Sequence, residues 1–243
     1  MLGPDPMQDS ERKVIWITGA STGIGAATAR RLAEQGWRLV LSARSVDRLE
    51  ALVQELGEDV ALAVPCDVTD FGRCEAAVAR ILEAYGRLDA VFANAGAGGK
   101  SGGFSAAPVE SWRTIVEVNI LGLAHSLQAS LPPIKQARGH VIITGSIAGR
   151  RSLDGSMYSA SKHAANAIGY NLRGELKGTG VRVCVIEPGM VDTPFFDDPK
   201  PHALRPDDVA RSVAYVLEQP ATVDVHELVI LPTPEIEAEP NDG

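Results

Sequence analysis

The chain has 243 residues, 45% of them hydrophobic and 22% charged, the proportions of a soluble globular protein with a full core and not of a disordered or fibrous one. A formal net charge of −8 and a pI near 5.2 argue against an electrostatic role on nucleic acid or an anionic membrane, and for a small soluble partner. The cysteines, Cys66, Cys74 and Cys184, are odd in number and lack C-x-x-C spacing, which speaks against a disulfide framework or a zinc site and for a reducing cytoplasm.

In chain order, "MLGPDPMQDSERK" carries acids and prolines but no apolar segment, so residues 1–12 are expected to be a flexible tail and not a signal peptide. "KVIWITG" is a short apolar run ending in glycine, and "GIGAATARRLAEQG" continues with helical spacing and a glycine stop. "RLVLSAR" reads as a second strand, "SVDRLEALVQELG" as a helix opened by a Ser cap, and "VALAVPCDV" as a third strand. "DFGRCEAAVARILEAYG" is helical and "LDAVFANAG" a fourth strand. "PVESWRTIVEVNILGLAHSLQASLPPIKQ" begins a long helix expected to end near Pro132, because a Pro-Pro pair removes two amide donors. "HVIITGS" is a fifth strand, "SMYSASKHAANAIGYNLRGELKGTG" a long helix, "VRVCVIEPG" a sixth strand, "PDDVARSVAYVLEQ" a helix and "HELVIL" the last strand. No run reaches the ~20 apolar residues of a spanning helix. Strands that do not alternate, separated by helices, predict an α/β fold: a Rossmann-type, doubly wound parallel sheet with helices on both faces, as one domain over residues 13–232. Residues 233–243 read as a second flexible, acidic tail.

Such sheets bind ligands beyond the carboxyl ends of their strands. There the first strand runs into "TGASTGIG", with Gly19, Gly23 and Gly25 on the turn into the first helix. Glycines let the backbone approach a pyrophosphate, and the helix N-terminus offers free N–H groups and partial positive charge. Tyr158 and Lys162, four apart, share one helix face, so an ammonium stands beside a phenol. The histidines are scattered without ligand spacing, and no metal is expected.

"TGASTGIG", "NAG" at 94–96, Ser146, "YSASK" at 158–162 and "PGMVDTP" at 188–194 together resemble the short-chain dehydrogenase/reductase family, over about residues 13–231. The resemblance implies a seven-stranded parallel sheet, a nicotinamide cofactor and alcohol–carbonyl chemistry. It casts Tyr158 as the acid/base, its phenol lowered toward neutrality by Lys162, which also bonds the nicotinamide ribose. Ser146 resembles the serine on the substrate oxygen, and Asn119 the helix asparagine that holds a water in the proton relay. Ser21, Thr22 and Ile24 accompany the glycines on the cofactor turn. Asp67 and Val68 resemble the adenine contacts. Asn94, Ala95 and Gly96 form the cofactor floor, and Pro188, Gly189, Val191 and Thr193 the segment that holds the nicotinamide. NAD-specific members carry an acid at the end of the second strand; here Ala43 stands there, followed by Arg44, whose fork suits a 2′-phosphate. NADP(H) is therefore favoured over NAD(H), although Thr22 stands where many NADP-preferring relatives carry a second base.

The dozen residues after "PGMVDTP" make a short lid, suggesting an open site and a small substrate, with the glycine-rich "GAGGKSGGF" as the other wall. Lys100 and Arg150 are candidates to attract a carboxylate. The C-terminal pattern is similar to the branch containing bacterial serine-type 3-hydroxy acid dehydrogenases and clavulanate-type aldehyde reductases, which implies a small hydroxy acid, aldehyde or ketone as partner. The resemblance further implies a homo-oligomer, a tetramer or dimer, through the helices at 108–131 and 156–177. The alternative is a silent nucleotide-binding regulator of the same fold, whose sign would be loss of Tyr158 or Lys162; both are present.

Overall fold

A computed structural model describes residues 12–233; the two expected tails otherwise lie outside the described residues. Seven strands form one sheet: β1 (Val14–Thr18), β2 (Arg38–Ser42), β3 (Ala61–Ala63), β4 (Ala90–Ala93), β5 (His140–Thr144), β6 (Arg182–Pro188) and β7 (Glu227–Ile230). Their order is β3-β2-β1-β4-β5-β6-β7, and every pairing is parallel. From β1 the chain winds outward one way, and from β4 the other, so the switch point of this Rossmann-type sheet lies between those two strands.

Strand periodicity sets the two layers. Side chains alternate across a strand, and in β1 Val14 and Trp16 pack on one face while Ile15 and Ile17 pack on the other. Ile15, Ile17, Leu39, Leu41 and Phe92 meet helices α1 (Gly23–Glu34), α2 (Val46–Leu56) and a C-terminal helix, Pro206–Glu218, through Ala29, Leu32, Leu49 and Val213. Trp16, Val91, Val141, Ile143 and Val183 meet α3 (Phe71–Tyr85) and two later helices through Ile81, Leu127, Ile134 and Leu172. Both faces of a central strand are apolar because both are covered. Trp16 is wholly buried, and its indole N–H donates to Ser42 Oγ at 2.8 Å, so its one polar atom is satisfied.

After β4 come a short turn, α4 (Gly103–Ala106), then α5 (Val109–Val116), a π-helical segment (Glu117–Gly122) and α6 (Leu123–Ala137). After β5 come a 3₁₀ turn (Ile147–Gly149) and α7 (Met157–Glu175); α8 is Pro206–Glu218.

Three expectations need correction. The helix does not stop at Pro132: α6 runs through Pro132 and Pro133 to Ala137. Proline's fixed φ is compatible with a helix, and burial of Pro133 and Ile134 holds the last turn despite the lost donors. Ser45 stands at the N-cap of α2, but its hydroxyl makes no capping bond. The third strand is only Ala61–Ala63, an edge strand paired with β2 alone.

Candidate active site

The carboxyl ends of β1, β2, β4, β5 and β6 surround a cleft of about 460 Å³, within the range of small-ligand sites. Gly19, Ser21, Thr22, Gly23 and Ile24 line one side. Gly19 has φ +65° and Gly23 φ +54°, the left-handed region. A Cβ on Gly19 would lie 2.9 Å from Ala95 Cα, and one on Gly25 2.9 Å from both Ala20 Cα and Asn94 Nδ2. Thr22 begins α1 without a side-chain capping bond, so the first-turn N–H groups have no side-chain acceptor. This is a cradle fitted to an anion such as a pyrophosphate.

Asn94 fastens the switch point. Its Nδ2 donates to the Thr18 and Gly19 carbonyls at 3.1 and 3.3 Å, and its Oδ1 accepts from Thr144 Oγ1 at 3.0 Å. Thr18 Oγ1 accepts from the N–H groups of Asn94 and Ala95 at 3.0 and 3.1 Å. One asparagine and two strand-end threonines thereby tie β1, β4 and β5 under the cleft.

At one end of the cleft stand Arg44, Ser45, Arg48, Asp67 and Val68. Arg48 is the residue the sequence reading overlooked: it lies four positions after Arg44, on the first turn of α2, and adds a second guanidinium beside the first. Burial pushes Asp67 up, but the Thr69 amide and hydroxyl at 3.1 and 2.8 Å outweigh it and, with Arg44 and Arg73, hold the carboxyl below its ordinary value.

At the other end Ser146, Tyr158 and Lys162 converge with Ala97, Pro188, Gly189, Val191 and Thr193. Ser146 starts the 3₁₀ turn, and its Oγ accepts from Ala148 N at 3.1 Å. The helix bearing Tyr158 and Lys162 starts at a true cap, Ser156 Oγ accepting from Ser159 N at 3.0 Å. Ser159 Oγ donates to the Ala148 carbonyl at 2.7 Å, locking that helix to the serine turn. Lys162 is 5% exposed; its ammonium donates to the Thr144 carbonyl at 2.8 Å and lies 5.8 Å from the Tyr158 ring centre.

The electrostatics differ from the expectation. Burial pushes the Tyr158 phenol up, and the opposing influence is the Ser146 hydroxyl, not Lys162. Burial pushes Lys162 itself down to about 8. With the ammonium turned to the Thr144 carbonyl, the phenol gains no charge-stabilising bond from it, and desolvation dominates.

Asn119 lies on the π segment and is buried. Its Oδ1 accepts from Ala97 N at 2.8 Å, and its Nδ2 donates to Ala97 O and Ser161 Oγ, each at 3.0 Å. Both amide hydrogens are engaged, so the side chain pins the loop after β4 to the Tyr158 helix.

Behind the serine turn lies a network that sequence reasoning missed. Glu187 is 0% exposed; it accepts short hydrogen bonds from Arg150 Nε and Asn166 Nδ2, and Arg150 Nη2 reaches Glu227. Burial raises the Glu187 carboxyl while Arg150 opposes the rise. Arg150 is thus an ion-pair partner on β6 and β7, not a free carboxylate receptor. Lys100 does not line the cleft, and of the glycine-rich segment only Gly96 and Ala97 do.

An aromatic side chain of the lid segment stands over the reacting end of the cleft while remaining half exposed. Phe195, in the segment after Thr193, packs its ring 5.5 Å from that of Tyr158 and against Gly98, where a Cβ would come within 2.9 Å of Phe195 Cζ. The sequence signal was available: two consecutive phenylalanines directly after the cofactor segment. Among the described residues, no group of three or more His, Cys, Asp or Glu side chains could hold a metal, and no helix is long and apolar enough to cross a membrane.

A glycine cradle at a sheet switch point, with a serine, tyrosine and lysine at the far end of one cleft, defines a nucleotide-binding α/β oxidoreductase. The chain belongs to the short-chain dehydrogenases: residues 13–203 match the family described as "short chain dehydrogenase". It is 40% identical to an uncharacterized oxidoreductase of Staphylococcus haemolyticus, across 93% of this chain and 100% of that one. Among solved structures, an alcohol dehydrogenase from the archaeon Thermococcus sibiricus complexed with 5-hydroxy-NADP superposes with a TM-score of 0.86 at 34% identity, covering 94% of this chain and 100% of the other. The closed form of a serine dehydrogenase complexed with NADP+ gives 0.85 at 30% identity, covering 94% and 98%.

Proposed function

We propose that the protein is an NADP(H)-dependent oxidoreductase that interconverts an alcohol and a carbonyl, with Tyr158 as proton donor and acceptor. The observation that carries this reading is the convergence of Ser146, Tyr158 and Lys162 at the end of the cleft remote from the two arginines. When bound, the nicotinamide supplies or accepts the hydride at the carbonyl carbon. The protein's residues do the rest: Ser146 orients the substrate oxygen by hydrogen bonding, and Tyr158 delivers its phenolic proton to that oxygen as negative charge develops there. In the reverse direction the phenolate takes the proton back. Lys162, carried on the next turn of the same helix, supplies the positive charge that favours the phenolate once its ammonium turns from Thr144 toward the cleft. Asn119 acts by position, holding Ala97 and Ser161 in register.

The cofactor preference rests on Arg44 and Arg48 together. Both line the cleft at the end of β2, where an NAD-specific site would hold an acid. Gly19, Ser21, Thr22, Gly23, Ile24 and Gly25 would cradle the pyrophosphate, and Asp67 and Val68 the adenine. Asn94, Ala95 and Gly96 would form the floor, and Pro188, Gly189, Val191 and Thr193 would hold the nicotinamide. The exposed Val109 and Leu121 on the α5–α6 stretch and Tyr170 on α7 support a homo-oligomer, which light scattering would read directly.

Replacing Tyr158 with Phe tests the mechanism. The reading expects turnover with NADPH to fall by at least about 100-fold, the scale of one acid–base group, while NADPH titration gives an unchanged Kd. Retained turnover would remove the phenol from the chemistry.

A further inference from the structure

We propose that the substrate pocket selects an uncharged carbonyl or alcohol bearing an apolar, ring-sized substituent and rejects carboxylates, with Phe195 as the selecting wall. The proposal rests on the reading of Ser146 and Tyr158 as the reacting end.

The cations lining the cleft, among the described residues, are Arg44, Arg48 and Lys162. The two arginines stand at the Asp67 end, where Arg44 acts on that carboxyl, and are remote from the phenol. Lys162 donates to the Thr144 carbonyl and lies over the Tyr158 ring, 5.8 Å from its centre, so its charge is committed to that carbonyl or to the phenol. Arg150, adjacent in sequence to the serine turn, spends its guanidinium on Glu187 and Glu227. Of the lid segment, Lys200 sits over the Phe196 ring at 5.5 Å and Arg205 pairs with Asp208 at 3.6 Å.

What the lid adds beside the phenol is apolar. Ala97, Pro194, Phe195 and Phe196 line the cleft. Phe195 tilts 58° to the Tyr158 ring, and Phe196 packs edge-on to Phe195 at 5.2 Å. This geometry leaves an angled aromatic wall on the lid side of Tyr158. A neutral carbonyl finds two hydroxyl partners and an apolar surface for its substituent. A carboxylate held there would give up part of its hydration and find no protein cation at this wall to replace it, an unfavourable exchange for a charge.

The experiment uses benzaldehyde and 4-carboxybenzaldehyde, the second adding a para carboxylate to the same ring aldehyde, with methyl 4-formylbenzoate as the uncharged control of similar size. Binding is measured by calorimetric titration of the NADP+-loaded protein, which has no hydride to transfer, and repeated without cofactor. Reduction is followed separately with NADPH. The expected result is a Kd for benzaldehyde at least about tenfold below that of the carboxylate, a modest share of the penalty for an unpaired charge. The Phe195→Lys variant, at a side chain 43% exposed and so tolerant of change, should reverse the order. Equal or tighter binding of the carboxylate by the unaltered protein would overturn the proposal, as would failure of benzaldehyde to bind. If benzaldehyde binds with the stated preference but is not reduced by NADPH, the oxidoreductase reading fails while the selectivity of the pocket stands.

Discussion

Replacing Lys162 with Met should change how stability depends on pH, by an amount set by burial alone. An unperturbed lysine titrates near 10.4, and desolvation inside the fold brings Lys162 down to about 8. Between those values the unfolded chain binds more protons at this position than the folded one, so stability rises with pH through that window. At about 1.4 kcal/mol per pH unit, the unaltered protein should gain about 2 kcal/mol between pH 7.5 and pH 10 that the variant does not. Urea midpoints of both proteins, at several pH values across this range and without cofactor, give the difference. Groups remote from position 162 that titrate there are present in both proteins and drop out of the comparison, and repeating the pair in a Tyr158→Phe background removes the neighbouring phenol. Parallel stability curves would mean that the buried ammonium is not penalised, and the account of Lys162 as a charge held in reserve for the phenol would fall with it.

Arg44→Ala and Arg48→Ala should each weaken NADPH binding about tenfold, one exposed charge-assisted hydrogen bond, and leave NADH binding within about twofold; equal losses for both cofactors in fluorescence titrations would refute the 2′-phosphate assignment. Gly25→Ala drives a methyl group into the Gly19 carbonyl oxygen and to within 2.9 Å of Ala20 Cα and Asn94 Nδ2, so about 1–3 kcal/mol of stability or more should be lost, together with NADP(H) affinity. Thermal unfolding and titration measure the two, and unchanged binding would show that the turn does not need its close approach. Arg150→Met should cost about 2–3 kcal/mol because it strips a partner from the fully buried Glu187. Adding Glu187→Gln should restore much of that loss, and simple additivity in a double-mutant cycle would count against the network.

Much of this was legible in the chain itself, for reasons that differ by element. The central strands read clearly because burial on both faces demands unbroken apolar runs, as in Ile15–Trp16–Ile17 and Val141–Ile142–Ile143. The glycine turn and the Tyr158–Lys162 pair were visible because local spacing carries their geometry. Contacts across the fold were not. Arg48 is a solvent-side residue of an amphipathic helix until β2 and the cleft are placed beside it. The union of Arg150, Asn166, Glu187 and Glu227 joins four segments, and no periodicity announces it. Pro132 and Pro133 misled because propensity is local whereas the burial of Ile134 is tertiary. The direction of the lysine's ammonium was not legible either, because four-residue spacing gives adjacency but not orientation, and here the Thr144 carbonyl claims it.

The π segment at Glu117–Gly122 gives this chain an odd helical arithmetic. A π turn closes its hydrogen bond one residue later than an α turn, so the chain between α5 and α6 carries surplus length, and everything after it is rotated by roughly 100°, one residue's share of an α turn. A helical wheel drawn straight through 109–137 would therefore put Ile115 and Leu127 out of phase, although both are buried. The segment behaves as a gearing tooth: it lets one rod present Asn119 to the cleft wall and still lay Leu123, Leu127 and Ile134 on the sheet. Removing a single residue there should yield a smoother helix and a worse protein, since the rod could then satisfy the sheet or the cleft but not both.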